Sequence, residues 1–133
     1  LPPYRYDLLP STPHIRFENG MMLHAVEITA GRVDLWWSFD SSPTTDYVTS
    51  VLIYDVDGTL VTQTDSQPQN GTRPTSGFEV GEVVYDPKSL ADLPAGTYIV
   101  AVQVYHFVDN MPQNVPAFNG ETWVEVGRLD LDE

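Results

Sequence analysis

Apolar and polar residues alternate with a period of two along much of this chain, the spacing that places successive side chains on opposite faces of a β-strand. Over residues 32–39 the alternation sends Val33, Leu35, Trp37 and Phe39 inward and Asp34, Trp36 and Ser38 outward. Tyr98, Val100, Val102 and Val104 share one face of a strand over residues 97–105, launched by Pro94-Ala95-Gly96. The β-branched runs 51–56 and 59–64 flank Asp57-Gly58, which predicts a hairpin closed by a type I′ turn.

The rest of the pattern is read the same way. Residues 14–17 and 21–28 form a hairpin about Asn19-Gly20, and Ala30-Gly31 turns the chain into the next strand. Residues 65–81 are dense in Pro, Gly, Asn, Ser and Thr and predict a long loop, and residues 82–85 a short strand. A single helical turn is expected over 89–93, ended by Pro94. Residues 106–120 are read as loop, and 121–131 as a last strand in which Trp123, Val124 and Val126 are interleaved with charges. Residues 1–13 carry four of the eleven prolines and are expected to be an extended arm or linker. About eight strands with no long helix predict an all-β domain over residues 14–133, an immunoglobulin-like antiparallel β-sandwich.

Composition changes this picture in three places. At 133 residues the chain can bury a full core without staples, and it has no cysteine, which excludes disulfides, thiolate metal sites and a thiol nucleophile. Six basic against nineteen acidic residues give a net charge of −13, which repels phosphate backbones and excludes nucleic acid as a partner. No apolar run reaches the ~20 residues of a membrane span, and Leu1-Pro2-Pro3-Tyr4-Arg5 lacks the regions of a signal peptide, so no membrane insertion by this chain is expected.

Chemistry-bearing patterns are sparse. Asp55-x-Asp57-Gly58 begins like a calcium loop, but Thr59, Val61 and Gln63 do not supply the remaining ligands. A cation site would require Asp55, Asp57, Asp65 and Asp86 to converge from different strands; turn roles are the expectation, with no cofactor. His14, His24 and His106 have no zinc spacing, and no nucleophile elbow accompanies them. Glu79 and Glu82 suit a glycosidase pair only if a cleft separates them, so no catalytic residue is assigned. The rings of Trp36, Tyr47, Phe78, Tyr105, Phe107, Phe118 and Trp123 are expected to be mostly core and edge cover. Trp36, Phe78, Phe107 and Phe118 are the candidates for ligand-binding rings on the surface. Asn70-Gly71-Thr72 is a glycosylation sequon that marks an exposed loop.

Several short motifs occur in a fixed order: Asp46-Tyr47, Asp55-Val56-Asp57-Gly58, Asp65-Ser66-Gln67-Pro68, Pro74-Thr75-Ser76, Gly81-Glu82-Val83-Val84 with Asp86, and Leu93-Pro94-Ala95-Gly96-Thr97-Tyr98. In that order they resemble the β-sandwich domain that follows the multi-spanning part of bacterial membrane glycosyltransferases related to the dolichyl-phosphate-mannose protein mannosyltransferases. The resemblance covers roughly residues 14–106. It departs at Ser50-Val51-Leu52-Ile53, where that family has a histidine, at Phe78, where it has a tryptophan, and at Met111-Pro112-Gln113-Asn114, where it has an arginine segment. What it implies is a non-catalytic, extracytoplasmic accessory module, periplasmic or at the cell surface, that docks on a protein partner or parent membrane protein. The alternative is a carbohydrate-binding module using exposed aromatics. Between the two, the sequence favours docking through an apolar patch that lacks the polar groups needed to orient a glycan.

Overall fold

The computed structural model describes residues 15–40, 43, 45–69, 71–118 and 120–131; the expected arm over 1–13 and the sequon residue Asn70 lie outside them. The described strands are β1 (Ile15–Arg16), β2 (Met21–Thr29), β3 (Arg32–Phe39), β4 (Val48–Asp55), β5 (Leu60–Ser66), β6 (Val84–Ser89), β7 (Gly96–Val108), β8 (Met111–Asn114) and β9 (Val124–Leu131). They form two antiparallel sheets. The first runs β1-β2-β3-β6; in the second, β5-β4-β7, the far edge of β7 is shared by β9 along its first half and β8 along its last residues. Strands β3 and β6 in one sheet face β4 and β7 in the other, the Greek-key arrangement of an immunoglobulin-like sandwich.

The alternation places the core between the sheets as expected. Val33, Leu35, Trp37 and Phe39 of β3 meet Val51 and Ile53 of β4 and Tyr98, Val100, Val102 and Val104 of β7 in one buried cluster. In β2 a register irregularity between Leu23 and Ala25 shifts the phase, so Met21 and Leu23 before it and Val26 after it all point inward. Tyr98 donates its hydroxyl to the Pro94 carbonyl at 2.7 Å, the corner bond that pins the start of β7.

Four local expectations are corrected. The Asp57-Gly58 hairpin is not type I′, because only Gly58 takes a left-handed backbone (φ 86°). Asp55 N–H donates to Thr59 O and Gly58 N–H to Asp55 O, and the β1–β2 connection repeats this with Phe17, Gly20 and Met21. Both are three-residue connections with glycine at the left-handed position. Residues 89–93 form no helical turn: Ser89 ends β6, and Leu90 N–H continues toward Gly31 O. The short strand expected over 82–85 begins at Val84 and runs on through Pro87, which an edge strand tolerates. Residues 106–120 are not all loop, since β7 runs to Val108, turns at Asp109 and Asn110 with φ of 52° and 65°, and returns as β8.

Candidate functional site

The two-residue turn at Asp109-Asn110 matters because it carries β8 back along β7 and builds one wall of a groove on the outer face of the second sheet. Outward from β7 come Gln103, Tyr105 and Phe107, opposite in phase to the core residues Val102 and Val104. Strand β5 adds Gln63 and Asp65, and β8 adds Pro112 beside Phe107 and Asn114 beside Tyr105. The groove is shallow and open to solvent, with a volume of about 360 Å³.

Its polar floor is organised around one carboxylate. Asp65 accepts from Ser50 Oγ at 2.5 Å, from Tyr105 OH at 2.8 Å and from Gln63 Nε2 at 3.0 Å. The register explains this convergence, because Ser50 of β4 pairs with Asp65 on one side and Gln103 on the other. The side-chain amides of Gln103 and Asn114 also line the groove, and among the described residues neither has a side-chain hydrogen bond. The Phe107 ring is 60% exposed and meets Tyr105 edge-on, centroids 5.7 Å apart at 84°.

Partial burial, then the bond to Asp65 and its charge, push the Tyr105 phenol up to about 12 from 10.0. Because the folded pKa lies above the unfolded one, this contribution to stability is complete below pH 10.0 and is lost as pH rises through about 12. An ultraviolet phenolate titration is therefore expected to lose a late-titrating component in Tyr105→Phe, and that component is expected to titrate earlier in Asp65→Asn. An unchanged titration curve in both variants contradicts the assigned bond.

The four ring candidates separate. Phe107 lines the groove. Trp36 lies on the outer face of the first sheet, as the alternation requires, but is only 6% exposed, with its ring 5.3 Å from that of Tyr85. Phe78 is buried in the core, edge-on to Phe39. Phe118 is 64% exposed but sits by Arg16, at the end of the sandwich where Phe17 bridges to Ala117. Alternation identified the face of Trp36 and could not show that the face is covered.

The four aspartates do not converge. Asp55 accepts from the Asp57 and Thr59 amides and closes its hairpin. Asp65 belongs to the groove. Asp86 lies inside the sandwich, where it accepts from Trp37 Nε1 (3.0 Å), Thr49 Oγ1 (2.6 Å) and the Gln69 amide (3.1 Å) and faces Lys88 Nζ at 3.2 Å. Lys88 is fully buried and also donates to Ser66 Oγ and Ser66 O, tying β6 to β5. Among the described residues no group of three His, Cys, Asp or Glu is placed to hold a metal ion. Glu79 and Glu82 meet across a turn, where Glu82 accepts from the Arg73 guanidinium, whose bond lowers its pKa, and from the Glu79 amide.

The sequence matches no family model and no curated relative. One solved structure is similar in fold. The crystal structure of the C-terminal domain of wzt superposes with a TM-score of 0.67 at 14% identity, over 96% of this chain and 84% of that one. At that identity the likeness establishes a shared β-sandwich fold.

Gln63, Gln103, Pro112 and Asn114 were not among the candidate ligand-binding residues read from the sequence. The signal for Gln103 was available in the phase of β7, whose outward positions continue from Gln103 through Tyr105 to Phe107. The β8 residues were hidden by reading 106–120 as loop; Asp109-Asn110, two residues that tolerate left-handed backbone, was the sign of a hairpin.

Proposed function

We propose that the domain is a non-catalytic accessory module that binds a neutral glycan in the groove between β5, β7 and β8. The observation that carries this reading is the company Phe107 keeps. An exposed ring suited to a sugar's apolar face stands beside two amides, which both donate and accept as hydroxyls do. Docking through a purely apolar patch, favoured by the sequence alone, accounts for the ring and leaves the amides without a task.

Charge selects within the glycans. Among the described residues the groove lining has Asp65 and no cationic side chain, on a chain of net charge −13, so acidic polysaccharides are repelled. The described lining residues also include a single carboxylate, whereas two-carboxylate glycoside hydrolysis needs a second facing it. The motif resemblance supports placing the module outside the cytoplasm, attached to or docked on a membrane glycosyltransferase-like protein. Among the described residues no helix is long and apolar enough to cross a membrane. A glycan array probed with the intact domain is expected to show binding to one class of neutral glycan and none to uronate- or phosphate-bearing glycans. A blank array, or a preference for acidic glycans, would remove the reading.

A further inference from the structure

The outer face of the second sheet carries a second aromatic site beyond the groove. Tyr54 of β4 and Trp123, which directly precedes β9, meet at a tilt with centroids 5.5 Å apart at 32°, and Trp123 is 42% exposed. The register places this pair on the same face as the groove. Tyr54 pairs with Ile99, and Val124 pairs with Val102, which brings Trp123 level with Gln103, so the two rings approach each other diagonally across β7 on either side of Ala101, which is fully buried. From Ala101 the outward positions of β7 run through Gln103 and Tyr105 to Phe107, a path of roughly 20 Å at the rise of a strand.

We infer that Trp123, backed by Tyr54, is a second sugar subsite, and that the face binds an extended stretch of a neutral polysaccharide rather than a single terminal sugar. This rests on the glycan reading of the groove. The order along β7, exposed ring, amide, exposed ring, repeats as a polymer's units repeat, and a ligand confined to the groove gives the Trp123 ring no role.

The experiment is titration calorimetry with neutral gluco- and manno-oligosaccharides, from monosaccharide to hexasaccharide. With the intact domain, affinity is expected to rise about tenfold or more from disaccharide to hexasaccharide, the worth of one further ring contact. Trp123→Ala is expected to abolish that gain and leave disaccharide affinity unchanged, and Trp123→Phe to retain most of it. Length-independent affinity, or equal weakening of short and long oligomers by Trp123→Ala, overturns the second subsite and leaves the groove standing. Absence of binding at every length, together with a blank array, overturns both.

Discussion

Asp86→Ala is expected to destabilise the domain by roughly 3–5 kcal/mol, the cost of breaking a buried ion pair by removing one partner. The variant strands the Lys88 ammonium and three further donors, on Trp37, Thr49 and Gln69, at a position with no access to water. Against a total stability of about 5–15 kcal/mol, that is a large fraction, and the melting temperature is expected to fall by roughly 10–20 °C. Replacing Lys88 by Met in the same protein is expected to restore the part due to the ammonium and not the part due to the three donors.

The loss also depends on pH. Burial lowers the Lys88 pKa, and the charge of Asp86 opposes that lowering. Between the lowered folded value and 10.5 the unfolded chain binds more protons, so stability rises with pH across that window. Without Asp86 the folded value drops further and the window opens at lower pH. The deficit of Asp86→Ala, measured by chemical denaturation, is therefore expected to shrink as pH is raised toward 10.5. A deficit under about 1 kcal/mol at neutral pH would place the pair in the ordinary range of exposed ion pairs and contradict the buried network.

Phe107→Ala is expected to weaken glycan affinity by roughly 10- to 100-fold, the equivalent of leaving one large apolar side chain unburied in the complex. Its ring is exposed in the free domain, so the melting temperature is expected to move little. Gln103→Ala should weaken binding less, through lost hydrogen bonds to hydroxyls. Phe118→Ala, an equally exposed ring by Arg16, serves as the control and should bind as the unaltered domain does. Equal affinities for Phe107→Ala and Phe118→Ala would detach the groove from recognition.

What the chain revealed in advance follows from how each feature is encoded. The core strands were legible because alternation is a local signal: Val33 to Phe39 and Tyr98 to Val104 announce their faces without reference to any neighbour. The corner bond of Tyr98 is local in the same sense, since its partner lies four residues away. Strand β8 was not, because Met111-Pro112-Gln113-Asn114 has no alternation and a proline, and it becomes a strand only by pairing with β7. Burial of Lys88 could not be read either. A lysine is ordinarily exposed, and only the meeting of β6 with β5 and β4 supplies the carboxylate and oxygens that hold it inside. The groove shares that non-local origin, with walls from strands separated by some fifty residues of chain.

Backbone amide NMR during a glycan titration tests the central claim most directly. With a glycan identified on the array, saturable shifts are expected to concentrate at Gln63, Asp65, Gln103, Tyr105, Phe107 and Asn114, with the edge of β9 near Trp123 joining for longer oligomers. Shifts confined to the first sheet or to the Phe118 end, or no saturable shifts at all, would contradict the assignment of the groove as the glycan site.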